Sequence, residues 1–340
     1  MINERNIFGS GYLHDDIEVG NIYAICSACT SIYSEFLSWA NLVKNKGRFV
    51  EDPKNADNIV VLSCQVTDLA VLNDLRILEK LMFDFPDRNF YVGGCLARRF
   101  DIPLPDGVKR LTNLVSNNTP IYEQWMVKYS TPFWVKGFIE NDPLGKDGHL
   151  FRYMYPLRIG AGCNNNCKYC TIRHTRGKSY VLSPNVEEFR KNKNVVLISD
   201  NPTVNQILQW SEIAQEERKE ISFRNVEPSV VCSAENCLVD LSKRGLLNIL
   251  HSPIQSIDPL VLKDMGRKEK HVSNMINSIF PKLKSNGVFL ATNIIIDYKD
   301  FKNPDMEYLN SIFDYVSWNP YWDGVWDRGL AEERFRKYFG

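Results

Sequence analysis

Three cysteines stand in one short run, Cys163-Asn-Asn-Asn-Cys167-Lys-Tyr-Cys170, separated by three and then two residues. Thiolates spaced this closely can hold three corners of a cubic four-iron cluster, whereas an electron-transfer cluster usually takes four cysteines and keeps no corner open. A three-cysteine set therefore leaves one iron for chemistry. An open corner suits the amino and carboxylate groups of S-adenosylmethionine, whose sulfonium an electron from the cluster can break to release a carbon radical. A closed zinc site of three cysteines and one histidine is the alternative, since His174 follows Cys170 by four residues. Zinc modules usually bring their ligands in two separated pairs, and here the run follows an apolar segment, residues 156–160, with the composition of a strand.

The rest of the chain must position such a site. With 340 residues, 44% apolar and 24% charged, it is long enough for two domains and a large core, which excludes disorder over most of its length. Lys plus Arg number 41 and Asp plus Glu 41, so no global positive field points to a nucleic-acid partner, although a local basic patch is compatible with this balance. The N-terminus lacks an apolar stretch of signal-peptide length and no apolar run approaches a membrane span, so a cytoplasmic location away from membranes is expected. Nine cysteines, an odd count, favour metal or redox chemistry over disulfides in such a compartment.

Between about residues 20 and 117, short apolar runs (21–25, 58–62, 89–92) alternate with helical periods (31–45, 66–85). That alternation predicts an α/β domain with a parallel sheet, whose ligands gather beyond the carboxyl ends of the strands. Cys29, Cys64 and Cys95 fall just past three such strands, the last after Gly93-Gly94, where the backbone lets a bulky group approach. Each alone reads as a buried small residue; together they can converge on one edge. Cys26 competes with Cys29, and spacing does not choose between them. Residues 118–154, broken by Pro120, Pro132 and Pro143, are expected to be a linker. Six further strand-like segments follow, at 157–160, 195–199, 221–224, 248–251, 289–296 and 315–318, most of them separated by helical stretches. They predict an incomplete (β/α)6 barrel over residues 155–340 with the cysteine triplet at its mouth, after the first strand.

These pieces match one family pattern. Residues 56–64, Ala-Asp-Asn-Ile-Val-Val-Leu-Ser-Cys, residues 92–97, Val-Gly-Gly-Cys-Leu-Ala, the triplet with Thr175-Arg176-Gly177, and His251-Ser-Pro-Ile-Gln255-Ser256 resemble segments of the radical S-adenosylmethionine methylthiotransferases. Aligning residues 40–43 with the end of that family's first helix puts Cys29 at the ligand position, with Cys26 in reserve. The resemblance implies two [4Fe-4S] clusters, one held by Cys163, Cys167 and Cys170 and cleaving S-adenosylmethionine, the other held by Cys29, Cys64 and Cys95 on the N-terminal domain and delivering sulfur. It implies that the two sets face a shared chamber, that Gln255 and Ser256 line the S-adenosylmethionine pocket, and that a C–H bond becomes C–S–CH3. Tyr169 can lie against the adenine or pack against the first helix, and Arg267, like Arg176, can pair with a carboxylate or phosphate or make a salt bridge. Arg224 and Glu227 end the third barrel strand and can face the pocket.

Departures bear on the substrate. Ile257 replaces a Gly of the family signature, and Asp297-Tyr-Lys-Asp300 replaces a Gly-Phe-Pro-Gly turn. The 340 residues leave no room for the small β-barrel docking domain of the family, so the expected acceptor is a tRNA base or a peptide, protein or small molecule. A reductant such as flavodoxin or ferredoxin is the implied partner. The alternatives are a radical enzyme of another reaction type with an auxiliary cluster and a non-catalytic iron–sulfur or zinc protein. A cobalamin-binding first domain would need an Asp-x-His-x-x-Gly loop, and His14 is in no such setting.

Overall fold

Residues 58–63 read Asn-Ile-Val-Val-Leu-Ser and all are buried, the pattern of a strand covered on both faces in a parallel sheet. The structure, a computed structural model, describes residues 17–43, 45–112, 128–129, 151 and 154–339. Two compact units emerge: Met1–His149 with Gly324–Gly340, and Leu150–Asp323.

In the first unit, β1 (Ile22–Cys26), α1 (Thr30–Val43), β2 (Asn58–Ser63), α2 (Asp68–Asp84) and β3 (Asn89–Gly94) follow one another, and Thr67 caps α2 by accepting the Ala70 N–H at 3.1 Å. With β4 (Lys109–Leu111) and β5 (Lys128–Tyr129) they form a wholly parallel sheet in the order β4-β3-β2-β1-β5. Because β3, β2 and β1 are neighbours and parallel, their carboxyl ends share one edge.

Two boundaries differ from the sequence expectation. Residues 128–129 of the expected linker are a strand paired with β1, and nearly all the rest of 118–154 lies outside the described residues. The barrel, expected to run to 340, ends at Asp323. The last helix, Arg328–Phe339, packs instead on α2, through Arg334 Nη1 to Asp68 Oδ2 at 2.6 Å, Arg328 to Glu79, and the Arg76 guanidinium 4.8 Å from the Phe335 ring centroid. These are side-chain pairings between distant segments, invisible to local pattern.

The second unit is a six-stranded parallel sheet formed by β6 (Tyr155–Arg158), β9 (Val195–Ile198), β10 (Ile221–Phe223), β11 (Leu247–His251), β12 (Phe289–Ile296) and β13 (Tyr315–Pro320), side by side in that order, with β6 and β13 as its edges. A short ribbon, β7 (Gly160–Ala161) with β8 (Tyr180–Val181), stands apart. Alternation sorts the two faces of the sheet: Val195 and Leu197 join helix residues such as Trp210 and Phe280 in the outer core, whereas Val196 and Ile198 join Phe151, Met154, Ile249 and Ala291 on the inner face. An open parallel barrel with outer helices is the result. Among the described residues no helix is long and apolar enough to cross a membrane.

The carboxylate of Asp68, 3% exposed, depends on Arg334 for its countercharge. Arg334→Ala is expected to lower the opening free energy of α2 by about 3 kcal/mol, the usual effect of stripping one partner from a buried ion pair. Hydrogen exchange of the α2 amides measures it, and unchanged protection would refute the assignment.

Candidate functional site

The cysteine loop leaves the sheet at β6 and returns through the β7–β8 ribbon, which clamps its base. Gly162 opens the loop with φ +75°, and a Cβ there would meet the Lys178 carbonyl oxygen at 2.2 Å, so only glycine fits. Its N–H donates to Asp200 Oδ2 at 2.8 Å, the same oxygen that pairs with Arg176 at the end of the helix Ile172–Arg176. Both side chains of this ion pair are buried, 4% and 5% exposed. Further ties are Cys163 N–H to Gly177 O at 3.1 Å, Ser179 N–H to Asn164 Oδ1 at 3.0 Å and Lys168 N–H to Met265 O at 3.2 Å. Cys163, Cys167 and Cys170 are thereby held half-buried within Coulombic reach of one another. Burial raises the Cys163 thiol and pushes that of Cys170 up to about 12, and the Arg267 charge acts on both in the opposite sense.

Arg267 donates from Nε to the Tyr169 hydroxyl at 3.0 Å and from Nη1 to the Pro253 carbonyl at 2.7 Å, with its guanidinium carbon 5.7 Å from the Tyr169 ring centroid. It thus ties the loop to the segment after β11. Arg176 makes the buried pair with Asp200, and Glu227 caps the helix Pro228–Ser233 by accepting from Ser229 N–H at 3.1 Å. Tyr169 packs on the cluster of Val261, Met265 and Tyr298. Gln255 has φ +70° and is pinned to β12 by its N–H to Asn293 O at 2.9 Å and by Ile295 N–H to its own carbonyl at 2.8 Å. The buried Ser256 hydroxyl accepts the Asp258 N–H at 3.1 Å, which shapes the turn into the helix Pro259–Met265; Ile257 packs against the outer core. His251 stitches three strand ends: Nδ1 accepts the Asn225 N–H at 3.1 Å, which assigns the ring proton to Nε2, 2.5 Å from Asn293 Oδ1. Burial, with the Arg224 charge, pushes His251 down to about 3.

At the sheet edge of the first unit, Cys64 follows β2, Cys95 follows β3, and Cys29 lies three residues past the end of β1. All three are half-buried against one core cluster, and Cys64, between the others in strand order, lies within Coulombic reach of both. Its thiol is pushed well up by burial, then by Cys29 and Cys95. Cys26 is wholly enclosed in the core, which also drives its thiol up. Gly94, φ +85°, lets Cys95 N–H reach Ser63 O at 3.2 Å; a Cβ would sit 2.4 Å from that oxygen. Gln65, next to Cys64, accepts from Arg99 Nη1 at 2.7 Å and links the second and third loops. Asp74 of α2 accepts from Ser27 and from Cys64 N–H, and burial pushes its carboxyl up to about 7 against the pull of those bonds.

Asp200, Asp74 and Arg99 escape the sequence reading. Asp74 leaves one trace there: an acidic residue at the i+3 position of the apolar stripe Val71, Leu75, Leu78. Among the described residues no three Cys, His, Asp or Glu side chains close to single-ion distance. A zinc ion draws each sulfur to about 2.3 Å from one centre.

Residues 157–297 match the family model described as the Radical SAM superfamily. The chain is 26% identical over 336 residues to the ribosomal protein uS12 methylthiotransferase RimO of Clostridium kluyveri, covering 90% of this chain and 74% of that protein. It is 24% identical over 339 residues to the tRNA-2-methylthio-N(6)-dimethylallyladenosine synthase of Clostridium botulinum, covering 88% and 73%. Among solved structures, the radical S-adenosylmethionine methyltransferase TsrM from Kitasatospora setae, with cobalamin and a [4Fe-4S] cluster bound, superposes with a TM-score of 0.48 at 9% identity over 89% of this chain and 75% of that one.

Asp200→Ala removes the acceptor of the Gly162 N–H and one half of the buried ion pair with Arg176, and is expected to weaken iron retention by the barrel about tenfold or more. Iron per chain after anaerobic reconstitution and chelator challenge reads this; parent-like retention would contradict it. For His251 the sign is fixed by its depressed value: the unfolded chain binds the extra proton between about 6.5 and about 3, so its stabilising contribution is lost as pH falls through that window. Imidazole 15N spectra at about pH 5, where a free histidine is protonated, should show a neutral ring with the proton on Nε2. An imidazolium pattern would be inconsistent with the burial described.

Proposed function

Because the chain carries a radical S-adenosylmethionine domain and is similar along most of its length to methylthiotransferases, we propose that it replaces an unactivated C–H bond by C–S–CH3 on a macromolecular acceptor. The observation that carries this is the pair of three-thiol sets, each at the carboxyl ends of its own parallel sheet. In this reading Cys163, Cys167 and Cys170 hold one [4Fe-4S] cluster, and Cys29, Cys64 and Cys95 the other. When bound, such clusters supply the electron that cleaves S-adenosylmethionine and the sulfur that is transferred.

The chain's own residues do the positioning. Asp200, Arg176 and Gly162 hold the root of the barrel loop, Arg267 places a positive charge beside its thiols, and Tyr169 walls it with aromatic surface. Gln255, fixed to β12 through its backbone, keeps its side chain for the cofactor. The apolar inner face of the barrel excludes water from a reactive radical. The acceptors named for the relatives, a ribosomal protein and a tRNA base, support a macromolecule as the acceptor class, and a flavodoxin or ferredoxin is the reductant this reading calls for.

Cys64→Ala and Cys95→Ala proteins are expected to release 5′-deoxyadenosine from S-adenosylmethionine under dithionite and to transfer no sulfur. Mass spectrometry of ribosomal protein and tRNA, searched for a gain of one CH2S unit, checks the product. Parent-level thiomethylation by either variant would remove the second cluster from the scheme, and a colourless, iron-free protein would remove the first.

A further inference from the structure

One carboxylate interrupts the apolar stripe that α2 turns toward the sheet. Asp74 is 1% exposed and lies among Val71, Leu75 and Leu78 on that buried face. Its Oδ2 accepts the Cys64 N–H at 2.6 Å, and its Oδ1 accepts the hydroxyl of Ser27, two residues before Cys29, with the Asn73 amide at 3.4 Å. Ser27 is in turn tied by its N–H to Leu62 O at 3.1 Å. A leucine here would extend the stripe without electrostatic cost, whereas a buried carboxylate is unfavourable unless its oxygens are bonded. Apart from its helix neighbour Asn73, its hydrogen-bond partners, Ser27 and Cys64, belong to the loops that present Cys29 and Cys64.

We propose that Asp74 is a positioning residue for the N-terminal thiol set: it fixes Cys29 and Cys64 relative to each other so that, with Cys95, they take three corners of one iron–sulfur cluster. The inference rests on the reading of these cysteines as cluster ligands. Cys95 is placed separately, through Ser63 and Gly94, so loss of Asp74 leaves one corner where it was and frees the other two. Outer partners of ligating loops act in this way, through placement and not through contact with the metal.

The test uses the full chain with Cys163, Cys167 and Cys170 changed to alanine, reconstituted anaerobically with iron and sulfide so that only the N-terminal set reports. This parent should hold one cluster; if it holds none, the cluster reading itself fails, whatever the role of Asp74. On that background Asp74→Ala is expected to release iron to a chelator about tenfold faster or more, with a changed Mössbauer signature. Asp74→Asn, whose amide oxygen still accepts from Cys64 N–H and whose amino group still reaches Ser27, should restore the parent rate and spectrum. Parent-like retention in Asp74→Ala would overturn the inference. So would Asp74→Asn behaving like Asp74→Ala, since charge and not placement would then be the contribution. Should Asp74→Ala fail to fold by circular dichroism, Ser27→Ala decides: it removes one arm alone and should speed release about threefold to tenfold, and a parent-like rate would overturn the proposal.

Discussion

Two buried aspartates, one in each unit, accept a backbone N–H at the root of a cysteine loop, and the geometry of both thiol sets depends on that interaction. Asp200 takes the N–H of Gly162 and Asp74 that of Cys64. The reason is physical. A loop that leaves the carboxyl end of a parallel strand has lost its ladder partners, and buried N–H groups without acceptors are costly. A charged acceptor makes a shorter and stronger bond than a neutral one. Each aspartate also carries a second tie, to Arg176 or to Ser27, so each braces two segments at once.

The barrel meets a comparable demand where the chain departs from the family pattern. Asp297 and Lys299 adopt φ of +50° and +51° in a turn where the resemblance leads one to expect glycine. Left-handed backbone costs a residue with a Cβ roughly 1–2 kcal/mol. Side chains offset it: Asp297 and Asn303 exchange hydrogen bonds at 2.5 and 2.7 Å, while Asp264 pairs with Lys299 and accepts the Tyr298 hydroxyl at 2.7 Å. Tyr298 is thereby held against Tyr321, ring centroids 4.6 Å apart, within the apolar cluster on which Tyr169 of the cysteine loop also packs. The turn has exchanged backbone freedom for a polar scaffold.

The strands were legible because Val- and Ile-rich runs such as 58–62 and 195–199 are local signals, and the cysteines because they fall where such runs end. Arg267 and Tyr169 were legible as candidates but not as a pair, since 98 positions separate them. Ser256 shows another limit: its letter does not reveal that its hydroxyl accepts the N–H two residues on and so shapes the turn into the next helix.

The strand segments, their alternation with helices, and the placing of six cysteines after strands followed from the sequence alone, because hydrophobic period and residue spacing are properties of neighbouring positions. Tertiary structure alone decided that the last helix completes the first unit, that Cys26 is enclosed in the core, and that Asp74 and Asp200 anchor the loops. In a sequence, a buried carboxylate and a solvated one are the same residue; only packing determines which backbone groups it must satisfy.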